Sequence, residues 1–305
     1  MTSPRPDVLP RSVWRARACA HRERVDELIG PYLRRRAEGR THPVLDFLFS
    51  YYGNRPAQLR LWHPGFGVAL ADCAEYTERR GYHRIEMPGS ADPVATADPA
   101  FLQRRRPTVE FIAALLAATA GRPPQLSCFG LHEWAMVYRS EQPRHRQVPL
   151  RLGGAGTDAV VESMSLRCTH FDAFRFFTPD AVPLNSQQLT REDQIHRDQP
   201  GCLHASMDLY KWAFKLVPLI DSDLLLDCFT LAVAARDIDM RASPYDLSAY
   251  GYRPIAIETP GGRAEYVRAQ TELAERAAPL RAELLARCRS LLSRPDATIS
   301  ARSGH

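Results

Sequence analysis

Apolar residues recur three and four positions apart along most of this chain, which confines it to a fold built mainly of helices packed on helices. Residues 12–38 predict an amphipathic helix with Val13, Ala16, Ala20, Val25, Leu28 and Leu33 on its apolar face. Thr41-His42-Pro43 restarts the chain, Pro43 suiting a first helical turn. VLDFLFSYY then reads as a buried helix, and Pro56 to Trp62 as a short one ended by HPGFG. Residues 88–100 (PGSADPVATADPA) read as a loop, and residues 101–120 as a helix that stops at ATAGRPP, where Gly is followed by Pro. CFGLHEWAMVYR, residues 128–139, predicts another apolar helix, and residues 140–157 a polar, Gly-rich connection. DAVVESMSLRC fits a strand or a helix, and residues 180–201 an ordered polar loop with one helical turn. A helix at 222–242, a short strand at PIAIET and an amphipathic helix at 263–293 complete the reading. No internal repeat is present. The expectation is one globular domain over residues 1–300, mainly α with minor short β elements, and a disordered tail over 294–305.

Hydrophobic residues make up 45% and charged residues 25% of the 305, the balance of a water-exposed globular chain with a sizeable core. No run of about 18 apolar residues exists, so no membrane helix is expected. MTSPRPDVLPRSVWRARA lacks the apolar stretch of a secretory signal. The seven cysteines are spread singly, an odd number with no CxxC pair, which speaks for reduced thiols rather than disulfides or a zinc knuckle. These features together predict a cytoplasmic protein. The net charge of +5 is uneven. Arg15, Arg17, Arg22, Arg24, Arg34, Arg35 and Arg36 crowd the first helix, and Arg104, Arg105 and Arg106 form a second group. Such patches either hold phosphates or form ordinary solvated helix faces.

The segment CLHASMDLYKWAFKL, starting at Cys202, is the odd one among these helices. His204, Asp208, Lys211, Trp212 and Lys215 recur three and four apart and so share one side. A surface helix does not need the Trp, and a core helix does not want the charges, so the stripe reads as the wall of a site. Lys211 and Lys215 are the only lysines in the chain, and Lys can do what a guanidinium cannot, because its pKa moves on burial. Three histidines lie beside carboxylates: His132 with Glu133, His170 with Asp172, and His204 with Asp208 one turn on. Each sits in an apolar or aromatic segment where an unpaired charge is costly. A His with a carboxylate neighbour can serve as general base. His132, His170 and His204 are also candidate metal ligands if they converge, although no HExxH or ExxH pair is present.

Around these groups the candidate binding residues are Trp134, Tyr138 and Trp212 for stacking, Arg175 and Arg241 for charge, and Asn185 and Gln199 for reading a ligand edge. Asp237 and Arg241, four apart, equally form a helical ion pair. GGAGTD at 153–158 is a weak phosphate-loop pattern without GxGxxG or GxxxxGK[ST].

Five segments, HPVLDFLFSYYGNRPAQLRLWHPG, CFGLHEWAMVYR, HFDAFRFFTPDAVPLN, QPGCLHASMDLYKWAFKL and DMRASPYDL, resemble a family of actinobacterial proteins catalogued as 3-methyladenine DNA glycosylases, from about residue 12 to 285. The resemblance implies hydrolysis of the N-glycosidic bond of an alkylated purine in double-stranded DNA, without a cofactor. Asp208 or Glu133 would assist as carboxylate, with Trp134 or Trp212 stacking the flipped base. Pro64-Gly65-Phe66-Gly67 matches the PGxG hairpin by which helix-hairpin-helix glycosylases grip phosphates, and Asp92 lies nearest their catalytic Asp. The alternative expectation is a small-molecule enzyme with a His/carboxylate site acting on an aromatic substrate, including an iron- or haem-dependent oxygenase. A non-catalytic ligand-binding protein is the third.

Overall fold

The computed structural model describes residues 6–86, 93–140 and 148–294. It is mainly helical, as the periodicity predicts. The N-terminal part carries β1 (Asp7–Leu9), α1 (Arg11–Ala37), α2 (Phe47–Tyr51), α3 (Pro56–Leu59), β2 (Val68–Leu70), α4 (Ala74–Thr77), β3 (Tyr82–Ile85) and β4 (Val94–Ala97). It continues through α5 (Pro99–Ala120), α6 (Leu131–Ala135), α7 (Gly153–Ser163), α8 (Phe171–Phe174) and α9 (Gln194–Arg197) to α10 (Leu203–Leu216), α11 (Ser222–Arg241) and α12 (Pro260–Leu292).

The long helices start where side chains satisfy their free N–H groups. Asp98 accepts from Ala100 N at the start of α5, Asp221 from Leu224 N at α11, and Thr259 from Gly262 N at α12. α10 and α11 pair most extensively, and α12 lies across α5, α11 and α10. The first eight residues of α10 are all buried, which makes this helix the centre of the main core.

α1 forms where expected, but through a different face. Trp14, His21, Val25, Ile29 and Tyr32 are buried, whereas Val13 and Leu28 are exposed. The spacings of seven, four, four and three hold the helical period, so His21 rather than a leucine completes the stripe, its Nε2 2.8 Å from Leu59 O.

A second, smaller core lies under a four-stranded sheet of order β1-β2-β4-β3. β1 pairs parallel with β2 (Val8 opposite Ala69), and β4 pairs antiparallel with β2 (Thr96 opposite Ala69) and β3 (Ala97 opposite Tyr82). Trp14, Trp62, Leu70, Tyr76 and Tyr82 pack beneath it, and the Trp14 indole donates to Ala71 O at 2.8 Å.

Several local expectations are revised. The end of the predicted 88–100 loop is strand β4 and the start of α5; residues 87–92, with Asp92, lie outside the described residues. Residues 128–139 hold only the five-residue α6, because Phe129, Gly130 and Arg139 have positive φ and break the helix on both sides. The connection at 140–157 contains the start of α7; GGAGTD is its exposed first turn and not a phosphate loop, and residues 141–147 lie outside the described residues. PIAIET is irregular, with Ile255 and Ile257 buried but unpaired in any sheet. Pro64–Gly67 joins α3 to β2 and is not a hairpin between two helices. The predicted tail, except Arg294, falls outside the described residues. Among the described residues no helix is long and apolar enough to cross a membrane, and all seven cysteines are free.

Candidate functional site

The three histidines reach one place from three segments. His132 comes from α6, His170 from the residue that precedes α8, and His204 from the first turn of α10. The His132 and His204 rings meet edge to face with centroids 4.4 Å apart, and His170 and His204 lie nearly parallel at 5.4 Å. All three are buried.

Their carboxylate partners differ from those their neighbours in sequence suggest. Consecutive helix residues point in different directions, so Glu133 cannot serve His132. His132 instead places Nε2 2.8 Å from Oδ1 of Asp239 on α11. Glu133 receives a hydrogen bond from Arg236 Nη1 at 2.8 Å, and the same nitrogen donates to Asp239 Oδ2 at 2.7 Å. Arg236 is itself buried, its guanidinium 3.9 Å from the centre of the Phe47 ring. His170 bonds through Nδ1 to Asp198 Oδ1 at 2.9 Å, not to Asp172. Its Nε2 lies 3.6 Å from Asp208 Oδ2 and has no hydrogen-bond partner. Asp208 does not serve His204; it accepts from Lys211 Nζ at 2.8 Å and Tyr52 Oη at 2.9 Å. Lys211 also donates to Asp172 Oδ2 at 2.7 Å, and Arg175 approaches Asp172 Oδ1 at 3.2 Å.

The result is two charge clusters with His204 between them. Burial pulls the His132 pKa down, but the Asp239 charge outweighs it and the net direction is up. The same opposition, with Asp198 as the main partner, leaves His170 raised. Burial and the neighbouring His132 hold His204 well below the usual imidazole range, so its ring is neutral. Burial raises Asp239, yet His132, His204 and Arg236 overcome this and keep it well below the carboxylate range. His132 Nε2 and Asp239 Oδ1, although 2.8 Å apart, are not aligned as donor and acceptor, and each lacks a hydrogen bond.

A cavity of about 400 Å³ opens on this cluster. Glu133, Asp172, His204 and Arg236 form its polar wall, and Phe47, Tyr51, Met136 and Phe176 its apolar one. Phe47 and Tyr51 stack at 4.8 Å, and Tyr51 meets Phe176 edge-on at 6.5 Å. An adjoining cavity of about 670 Å³ shares Phe47 and Ser50 with it and is lined by Arg36, His42, Asn54 and Arg55. On the inner side of His132 and His204 lies a void of about 20 Å³ beside Cys128, Cys168, Cys202 and Tyr266, large enough for one water.

Of the residues singled out by sequence, Glu133, Asp172 and His204 line the larger of the two cavities at the cluster, and His132, His170, Asp208 and Lys211 stand against them. Arg175 reaches its rim, with its guanidinium 4.2 Å from the Phe176 ring centre. The remaining six stand elsewhere. Trp134 is buried in the core and donates to Ala242 O. Trp212 lies between the Lys211 and Lys215 ammonium groups, with its edge against Phe111. Tyr138 bonds Glu162, and Arg241 pairs with Asp237 and Glu265. Asn185 ties Cys168 to Gln187, and Gln199 ties Gln125 to Gly201 while edging the small void. Sequence reasoning missed Asp198, Asp239, Arg236 and Tyr52 as partners, and Phe47, Tyr51 and Phe176 as the flat wall. The i,i+3 spacing of Arg236 and Asp239 is the one signal that pointed to any of them.

The basic clusters are engaged in part: four of the ten arginines, Arg15, Arg24, Arg104 and Arg106, pair with acids among the described residues. Arg11 pairs with Asp72, Arg15 with Glu75 and Arg24 with Asp223 and Asp227. Arg104 pairs with Asp98, Arg105 bonds Lys215 O, and Arg106 pairs with Glu110. Against known proteins the chain stands apart: no family model, no curated protein and no solved structure matches it.

Proposed function

We propose that this chain is an enzyme that takes a flat, aromatic small molecule into the 400 Å³ cavity and transforms it at the His204 face. The observation that carries this reading is the meeting of three buried imidazoles, with ring centroids 4.4 and 5.4 Å apart, at the polar end of an aromatic-walled cavity. A fold has no structural need to collect that many costly groups in one place, and perturbed titratable groups beside a cavity are where chemistry concentrates. The Phe47–Tyr51 pair and Phe176 suit a planar ring, and Glu133 and Asp172 face it as hydrogen-bond acceptors. His170, oriented by Asp198 through Nδ1 and with Nε2 unpartnered, is built as a proton carrier behind the wall.

Hydrolysis of an alkylated purine nucleotide is the second reading. The flat cavity with two carboxylates on its wall favours it, since such a site can hold a purine and stabilise a cationic sugar. It ranks below the first because cleaving that bond calls for carboxylates and leaves the gathering of three buried imidazoles without a role.

Ligand-observed NMR with a set of flat heterocycles, 3-methyladenine among them, tests both. The first reading expects heterocycles that bind wild type and are displaced when Ala173→Trp fills the cavity. Binding that ignores the filled cavity, or no binding by any member of the set, overturns it. Release of 3-methyladenine from methylated duplex DNA, lost in Glu133→Gln, would promote the second.

A further inference from the structure

We infer that His132 Nε2, a ring nitrogen of His204 and Asp239 Oδ1 bind one divalent transition-metal ion of the iron(II), cobalt or zinc class. These ligand atoms come from α6, α10 and α11 and lie within 4.8 Å of one another. An ion held by bonds of about 2.1 Å spans at most about 4.2 Å between opposite ligands and about 3.0–3.5 Å between adjacent ones. His132 Nε2 and Asp239 Oδ1 stand 2.8 Å apart, slightly closer than adjacent ligands, and with all three atoms within 4.8 Å of one another, seating an ion needs that pair to open a little and the farthest atom to move in by at most about 1.3 Å.

That these two atoms approach without hydrogen-bonding is the observation that points to an ion. Both are buried, and although they pair as charges at 2.8 Å, neither atom has a hydrogen-bond partner. Leaving such groups unsatisfied is costly, and a cation satisfies both at once.

The surroundings fit. Asp239 turns its other oxygen to Arg236, which Glu133 holds in turn, so the ligating carboxylate is fixed from behind. The two carboxylates and one guanidinium leave one net negative charge for the ion. Two imidazoles and one carboxylate are the donor set that suits borderline divalent metals rather than calcium or magnesium. His204 faces the larger cavity on one side and the small void on the other, which leaves open coordination positions for water and a ligand. The second group of potential ligands among the described residues, His170, Asp172 and Asp208, is different. There the Lys211 ammonium sits between the carboxylates at 2.7 and 2.8 Å and already occupies the place of a cation.

The inference deepens the proposed enzyme by placing a Lewis acid at the polar end of its cavity, but the binding itself is tested without a substrate. The purified full chain is stripped with chelator and titrated with cobalt(II), followed by its visible absorption and by elemental analysis after desalting. One ion per chain is expected, with binding weakened at least about 100-fold in His132→Ala, His204→Gln and Asp239→Asn. Asp172→Asn and the distant His63→Gln keep the ion. Circular dichroism and the melting temperature of each apo variant identify those that fail to fold, and a cobalt-induced rise in melting temperature in wild type but not in His204→Gln gives a second readout. No binding by wild type, binding equal in wild type and a folded His132→Ala/His204→Gln double variant, or loss in Asp172→Asn with retention in Asp239→Asn overturns the site. A chain that binds cobalt but no heterocycle refutes the substrate reading alone, and one that binds heterocycles but no cobalt refutes this inference alone.

Discussion

Replacing Arg236 with Met probes the charge balance on which the whole cluster stands. One nitrogen of Arg236 holds Glu133 Oε1 at 2.8 Å and Asp239 Oδ2 at 2.7 Å, so those oxygens are at most about 5.5 Å apart. All three side chains are buried, at 2, 6 and 0% exposure, and solvent does not screen them. Without the guanidinium, two carboxylates at that separation repel by about 3 kcal/mol at an effective dielectric constant near 20. Breaking buried pairs by removing one partner costs about 3–5 kcal/mol, consistent with that figure. Met keeps most of the apolar contact with Phe47, so packing loss is secondary. The expected drop in melting temperature is on the order of 10 °C, measured on chelator-treated protein at pH 7 so that no ion intervenes. Glu133→Gln added to Arg236→Met removes one of the two charges and should restore at least about 1.5 kcal/mol in a double-mutant cycle. The deficit should also shrink as pH falls, because neutralising either carboxylate removes the repulsion. A loss below about 1 kcal/mol, or a second substitution that restores nothing, would refute the argument that Arg236 balances this cluster.

Two further outcomes are expected away from the site. Gly262→Ala should destabilise α12 by about 2 kcal/mol or more, because its Cβ would meet the Ala256 carbonyl oxygen at 1.9 Å, whereas Gly261→Ala, with nothing within 4 Å, should be neutral or stabilising; thermal melts of the pair read the difference. His63 is buried beside Arg79 and has its pKa lowered to about 3, so the unfolded chain binds a proton below pH 6.5 that the folded one refuses. Stability should therefore fall with pH across that window, and the gap between wild type and His63→Gln should narrow by about 2 kcal/mol from pH 7 to pH 5, read by urea denaturation at each pH.

The long helices were legible in the residues because each combines a 3.6-residue stripe with a local start or stop: Asp98-Pro99 before α5, Asp221 before α11, Thr259-Pro260 before α12. The sheet was not, because its strands are three or four residues long and pair across distant positions. β4 is buried at all four positions, so no alternation marks it, and β1 finds β2 some sixty residues away. α7 hides behind glycines that disfavour a helix, yet Gly153 is needed at positive φ to turn into it. At the site, the residue types were legible and their partners were not. His132, His170 and His204 each carry an acid nearby in sequence, but the acids that face them, or fail to, are chosen by how α6, α8, α10 and α11 cross. Trp134 and Trp212 illustrate the same limit: both are buried, but one indole finds a backbone carbonyl and the other lies between two ammonium groups.

The two lysines have a practical corollary. Lys211 is locked between two carboxylates with its pKa pushed further up, so its amine is never free to react near neutrality. Lys215 is exposed, and burial of its base together with Lys211 and Arg105 pulls its pKa down. Amine-directed dyes should therefore decorate one side chain in the entire molecule. Lys215 stands eleven residues along α10 from His204, about 16 Å at a helical rise of 1.5 Å per residue. A fluorophore there would sit within quenching range of a coloured ion or ligand in the cavity, turning this helix into a built-in ruler for occupancy.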